Sequence, residues 1–405
     1  MKITAVETLR LDEFSNIIFV RIHTDEGIVG LGETWFGAQA VEAYIHESAA
    51  PYLLGKDPLH IDRHARALYG YLGFRSSGAE TRGNSAIDIA LWDIFGKVTG
   101  QPIYQLLGGP SRDQIRIYNT CAGYRYVRNS RQAVSSWGLP DGDSEGPYED
   151  LDGFLNHAGD LAESLLAQGV SGMKIWPFDM FAEATGGTYI SDRDLNQALE
   201  PFRRIRAAVG NQMDIMVEFH SLWNLPAAMK IAHALRPFDP MWFEDPIKAD
   251  NIDALATFAA ATDIPTVASE TLSGRSSFRE VFEKQAARII MLDVSWVGGI
   301  TEAKKIASMA EAYHLPIAPH DCTGPVVLTA STHLSINAPN ALIQETVRAF
   351  YTSWYRELVT ALPTIQDGTI APPPGPGLGI ELLPHLAERS DAHQRVSQLE
   401  AIRIA

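Results

Sequence analysis

Three glutamates recur at a fixed interval in the middle of the chain. Glu218 lies in MVEFH, Glu244 in WFEDP and Glu270 in VASET, and neighbours are 26 residues apart. Each closes a short, largely apolar run that reads as a strand, and the interval is that of one strand plus one helix. Equivalent ends of adjacent parallel strands would bring the three carboxylates to one point. Without a cation they would repel, and some would have to protonate. A hard divalent cation resolves the conflict, and an all-oxygen donor set favours Mg²⁺ over zinc. A solvated strand-end charge is the plain alternative for any one of them; three in register argue against it.

A second pair keeps the interval. Asp293 lies in MLDVS and His320 in IAPHD, 27 residues on. An aspartate bonded to a histidine fixes the ring tautomer and raises its basicity, whereas a nearby dication keeps the ring neutral and able to accept a proton. A purely structural Asp–His pair is the alternative. Lys174 is the cation of GMKIWPFD. It points either outward between helices or into the barrel mouth, where it suits a carboxylate or a developing oxyanion. His220 follows Glu218 by two and projects to the same side of its strand, as acid, base or polar contact. Glu345, in LIQET, is either a rim charge or, if protonated, a hydrogen-bond donor to a substrate carboxylate or an enolate oxygen.

These positions need a scaffold that alternates strand and helix. Strands are expected at 115–119, 172–178, 214–220, 241–247, 266–271, 289–295, 316–321 and 342–347. Helices are expected at 194–209, 226–235, 252–261, 276–286, 301–314 and 326–336. Mostly apolar strands between amphipathic helices predict a parallel sheet buried on both faces. Eight such units predict an α/β fold of the (β/α)₈ barrel type rather than an open sheet. No G-x-G-x-x-G follows any of these strands, which counts against a dinucleotide fold. Before the barrel, 3–9, 16–24 and the run from Ile28 read as strands, with Asp25-Glu26-Gly27 as a hairpin turn. Residues 83–98 repeat apolar positions at helical spacing. The expected division is an α+β domain over 1–114, completed by 365–405, and a barrel over 115–364. The segment 121–150 breaks the rhythm with aromatics, arginines, Gly and Pro. A loop that long after the first strand is expected at the active face.

The chain has 405 residues and a net charge of −16. That balance excludes non-specific attraction to nucleic acid or an anionic membrane, yet permits an anionic small molecule beside a metal. Two cysteines, Cys121 and Cys322, make no disulfide framework and fit a reducing, cytoplasmic setting. No apolar run is long enough for a membrane span.

Together these residues resemble the enolase superfamily, in its mandelate racemase subgroup, over most of the chain. SAIDIALWDIFGKVTGQPIYQLLGG is similar to the family's helix and exit segment, and PGPGLGIEL to its closing segment. The resemblance implies an enolase-like modified barrel under a capping domain. It implies Glu218, Glu244 and Glu270 as ligands of one Mg²⁺, Asp293 and His320 as the dyad, and Glu345 as the last-strand glutamate. The chemistry implied is Mg²⁺-assisted removal of a proton α to a carboxylate, giving an enediolate. This subgroup often carries Lys-x-Lys on the second strand. Here Trp176 replaces the second lysine, as a candidate substrate contact, and a two-base racemase would lack one base. Glu218-x-His220 is instead similar to sugar-acid dehydratases. There His320 would take the C2 proton and His220 would protonate the departing C3 hydroxyl, giving a 2-keto-3-deoxy acid. A racemase, epimerase or lactone cycloisomerase, or a non-catalytic sugar-acid-binding homologue, are the other readings. The family also implies a homo-oligomer and a cap that contacts the distal end of the substrate. Candidates for that contact are Asp12–Ser15, Trp35 and Phe36, joined by Tyr124, Arg125 and Tyr126 of the barrel loop.

Overall fold

A computed structural model describes residues 1–70, 77–126, 128 and 146–399. Of the expected active-face loop, residues 127 and 129–145 lie outside the described residues.

The chain opens with a three-strand meander, β1 (Ile3–Leu11), β2 (Ile17–Thr24) and β3 (Val29–Trp35). Helices α1 (Ala38–Tyr44), α2 (Ile61–Tyr69) and α3 (Ala79–Thr99) follow. The last contains the expected 83–98 helix. It lies unusually close to β3: a Cβ at Gly30 or Gly32 would collide with the backbone carbonyls of Ala90 and Ala86. Glycine at alternate positions of β3 is thus what lets helix and strand touch backbone to backbone.

From Ile115 the chain alternates as expected. The strands are β4 (Ile115–Thr120), β5 (Gly172–Ile175), β6 (Asp214–Glu218), β7 (Trp242–Glu244), β8 (Thr266–Ala268), β9 (Ile289–Leu292), β10 (Ile317–Pro319) and β11 (Gln344–Thr346). The helices between them include α4 (Ala158–Leu166), α5 (Asp179–Thr185), α6 (Glu200–Val209), α7 (Leu225–Leu235), α8 (Ile252–Ala260), α9 (Gly274–Glu283), α10 (Gly299–Ala312) and α11 (Pro325–Asn337). Strands β4 to β10 pair in parallel in chain order, and β11 pairs with β4. The ring closes between β10 and the approach to β11, where Leu342 N donates to Ile317 O at 2.8 Å. Arg348, just past β11, grips Asp150 with two bonds of 2.7 Å, and Asn119 of β4 donates to the same carboxylate at 2.9 Å. This lock holds last strand to first.

Two expectations need correction. The helix expected over 194–209 is split into Asp192–Ala198 and α6, because Pro201 lacks an N–H and seats itself in the first turn of a new helix. The strands are also shorter than the apolar runs. The apolar residues past the strand ends, among them Trp176, Phe178 and Phe219, are buried outside the ladder. After the barrel, β12 (Thr364–Gln366) and β13 (Thr369–Ala371) form a hairpin whose second strand pairs antiparallel with the start of β4. The last strand, β14 (Ala392–Gln398), returns to pair with β1, so the cap sheet runs β14-β1-β2-β3. No helix among the described residues is long and apolar enough to cross a membrane.

Candidate active site

The barrel interior is filled by Tyr118, Met216, Trp242, Val267, Ile289, Met291, Ala318 and Ile343. Side chains two apart on a strand share a face. Two positions beyond six of these residues stand Thr120, Glu218, Glu244, Asp293, His320 and Glu345. Lys174 likewise follows Gly172, where a Cβ would press on Tyr118 and Met216. One polar layer therefore lies directly on the apolar one, and the strand period alone aims it into the barrel mouth. Glu270 departs from this rule, two residues past the end of β8.

Glu218, Glu244 and Glu270 each offer an oxygen within 4.8 Å of the others. The donors are all carboxylate oxygens, so they fit a hard cation. Lys174 Nζ sits among these groups, 2.7 Å from Glu244 Oε1, 2.9 Å from Glu345 Oε1 and 3.5 Å from Glu218 Oε2. Glu218 Oε1 accepts from the backbone N–H groups of Phe219, at 2.9 Å, and His220, at 2.6 Å. The chain turns sharply there, with φ of 47° at His220 and 57° at Ser221. Such left-handed residues are retained mostly where a site over-determines them.

The charges are crowded. Burial, and then the neighbouring carboxylates, raise the Glu244 and Asp245 carboxyls well above the usual range, and burial also raises Glu218. Burial opposes the charge on Lys174 too, but Glu244 and Glu345 outweigh it and keep the ammonium protonated. A cation among the three glutamates would relieve the same crowding.

His320 Nδ1 lies 2.7 Å from Asp293 Oδ2, and its Nε2 lies 2.8 Å from Glu270 Oε2. Burial works against charging the ring, yet Glu270 and Glu345 raise its pKa well above normal. Glu270 is held down at about 2, the nearby imidazolium overriding its burial. Glu345 accepts from Thr120 Oγ1 and from Asp321 N at 2.9 Å.

A second dyad faces the first. His220 Nδ1 lies 2.6 Å from Asp179 Oδ2, on the first residue of α5. A carboxylate accepts, so the ring donates from Nδ1 and Nε2 is left for the cavity. Asp179 was not among the residues read from the sequence. It opens α5, just beyond the strand run read from the sequence, and only the tertiary fold shows that it meets His220.

Lys174, His220, Glu270, His320 and Glu345 form the floor of a cavity of about 120 Å³. Its walls and roof are Trp35 and Phe36 from the cap, Tyr126, Thr120, Cys322 and Trp296. Trp296, also missed in the sequence, donates from Nε1 to Trp35 O at 3.1 Å and lies 5.4 Å from the His320 ring. Other expected contacts stand elsewhere. Trp176 is buried behind His220, packed on Phe154 and Tyr126. Tyr124 packs under the Arg128 guanidinium, and Arg125 is exposed. Asp12 pairs with His393, Glu13 with Arg128 and Arg389, and Phe14 packs on Trp354. None of these lines the cavity among the described residues.

Comparisons with known proteins agree with this architecture. Residues 4–108 match the family described as the N-terminal domain of mandelate racemase / muconate lactonizing enzyme, and 157–386 match the enolase C-terminal domain-like family. A D-galactonate dehydratase from Ralstonia nicotianae is 34% identical over 389 residues, 94% of this chain and 92% of that one. The crystal structure of an enolase of the mandelate racemase subgroup from Agrobacterium tumefaciens, with a succinimide residue, sodium and phosphate, is 56% identical. It superposes with a TM-score of 0.89 over 99% of this chain and 100% of that one. A member of the enolase superfamily from Salmonella Typhimurium is 25% identical with a TM-score of 0.85, covering 98% and 100% of the two chains. With both halves matched and the strand-end residues in one site, the chain belongs to the mandelate racemase subgroup of the enolase superfamily.

Proposed function

We propose that the protein is a Mg²⁺-dependent hydro-lyase that dehydrates a sugar acid, an aldonate or aldarate, to a 2-keto-3-deoxy acid. The observation that carries this reading is the pair of carboxylate-backed imidazoles, His320 with Asp293 and His220 with Asp179, lining one cavity beside three glutamates. Dehydration needs two proton transfers at neighbouring carbons, one off C2 and one onto the C3 hydroxyl.

A C2 proton is very weakly acidic, because its loss adds a second negative charge to an anion. Mg²⁺ held by Glu218, Glu244 and Glu270 would supply Lewis-acid stabilisation of that charge. Lys174 adds a fixed positive charge in a water-poor pocket. His320 accepts the C2 proton at Nε2, with Asp293 fixing the tautomer through Nδ1. Glu270 Oε2 lies 2.8 Å from Nε2, and Glu270 would be shared between the base and a cation held with Glu218 and Glu244. Burial opposes charging the His220 ring, but Asp179 raises its pKa; protonated on both nitrogens, the ring donates from Nε2 to the C3 hydroxyl as the C–O bond breaks, and water leaves. The enol then tautomerises to the ketone. The similarity to a D-galactonate dehydratase supports the same class.

The two dyads also favour a second reading, proton removal and return at one carbon, as in an epimerase. A panel of aldonates and aldarates with Mg²⁺ in D₂O, followed by proton NMR and a semicarbazide assay for 2-keto acids, decides between them. Dehydration gives the keto acid. Deuterium at C2 without keto acid gives the isomerase. No change with any acid defeats both.

A further inference from the structure

Glu33 is fully buried, on β3 of the cap, and none of the ion pairs among the described residues involves it. It reaches across to the barrel. Its Oε1 accepts from Val327 N at 3.1 Å and its Oε2 from Val326 N at 3.3 Å. These are orphan donors in the first turn of α11, and such donors need a partner. The helix follows β10, whose next residue is His320. Gly324 makes the approach possible: a Cβ there would overlap the Glu33 carboxylate. Its φ of −152° is open to any residue, so the glycine supplies room rather than conformation.

The adjacent unit repeats the device. Asp88 of α3 accepts from Thr301 N at 2.9 Å in the first turn of α10, which follows β9 and Asp293. A Cβ at Gly299 would overlap Asp88 in turn. Thr34 Oγ1 donates to Ser295 O, and Gly298 N to Ser85 Oγ, each at 2.9 Å. The cap is therefore bonded to the two loops that hold the base and its aspartate.

We infer that Glu33 is a positioning residue: seated on the N-terminus of α11, it sets where the 320–324 loop, with His320 and Cys322, stands beneath Trp35. Trp35 lies two residues beyond Glu33 on the same strand face, so one strand fixes both the roof and the base. Burial pushes the Glu33 carboxyl up to about 8, against the pull of the two N–H groups. A polar group so costly to bury, with no ion-pair partner among the described residues, is better explained by geometry than by stability.

The inference rests on His320 as the base, so its test has an arm that needs no substrate. The full-length Mg²⁺-loaded protein and its Glu33→Ala, Glu33→Gln and Gly324→Ala variants are compared. The first readout is the low-field proton resonance of the His320–Asp293 bond; the second is kcat and KM. Glu33→Ala should shift or broaden the resonance and lower kcat about 10- to 100-fold, with KM within about threefold, as misplacement of a catalytic group does. Glu33→Gln, which keeps one acceptor, should recover most of kcat. If Glu33→Ala fails to fold, Gly324→Ala displaces the same contact and is read in the same way. An unchanged resonance with kcat within about twofold, or a lowered Tm alone, overturns the inference. If the wild type turns over no sugar acid, the functional reading fails, and the resonance still decides the role of Glu33.

Discussion

The floor and the roof of the cavity are built on different principles. Floor groups such as Lys174, His320 and Glu345, and Glu218 and Glu244 beside them, are at most 4% exposed and hang from barrel strands or their first residue beyond. Their directions are set by the strand period and by one another. The roof is aromatic and comes from loops and cap. Phe36 is 42% exposed, has φ of 75°, and is held by Arg82 Nη1 donating to its carbonyl at 3.1 Å. The floor thus carries charge that must not move, whereas the roof carries surface that can be exchanged. If so, substitutions below should change the reaction itself, and substitutions above should change which acid is accepted.

The sharpest break is Glu244→Gln. It removes a candidate metal ligand and the closest partner of Lys174. Activity should fall by at least about 10³-fold, in line with loss of key electrostatic stabilisation, and isothermal titration with Mg²⁺ should show weakened binding. The same change relieves a crowded, upward-shifted carboxyl. In EDTA its Tm should therefore equal or exceed that of the wild type. A clearly lower Tm would mean that Glu244 is structural cement, and the floor would lose its special standing.

The two imidazoles divide the next effect. His320→Asn should abolish exchange of the C2 proton with D₂O. His220→Asn should leave that exchange measurable and block loss of the C3 hydroxyl. Asp179→Asn keeps the shape but removes the charge that favours the protonated His220 ring, so dehydration should slow about 10- to 100-fold, less than on removing the ring. Full dehydration by His220→Asn would strip that residue of its role. On the roof, Trp296→Ala should act on KM, raising it about tenfold for long-chain acids, with kcat much less affected. An equal loss of kcat and kcat/KM would place Trp296 with the floor.

This division also explains what the amino-acid sequence could reveal. Glu218, Glu244, Asp293, His320 and Glu345 were legible because a βα repeat with a period of two on each strand fixes their positions before any loop is known. Asp179 was not, since its meeting with His220 depends on how α5 turns back over β6. Glu33 reads as an ordinary strand charge until α11 is placed against it. Asp12 and Glu13 are candidates for the distal substrate contact in the sequence, but their partners, Arg128, Arg389 and His393, lie more than 100 residues away in sequence. The helix break at Pro201 was visible and overridden by the apolar period around it.

The smallest effect tests whether charge in the cap serves stability alone. Glu7 of β1 faces Arg21 and His23 on β2 and Gln394 on β14. Burial would raise its carboxyl, but these partners outweigh it and hold the pKa at about 2. At Glu218 and Glu244, by contrast, burial outweighs the partners and raises the carboxyl. A depressed native pKa gives stability that is complete above the unfolded value of about 4.3 and disappears as pH falls through 2. Arg21 and His23 are about one-third exposed, so solvent screening limits the gain to about 1 kcal/mol. Glu7→Gln should therefore lower Tm by about 1 °C at pH 7, and the gap between variant and wild type should narrow steadily below pH 4. Its kcat and KM should match the wild type. A Tm gap independent of pH would show that the side chain acts by packing, and a change in kcat would show that the cap sheet reaches the chemistry after all.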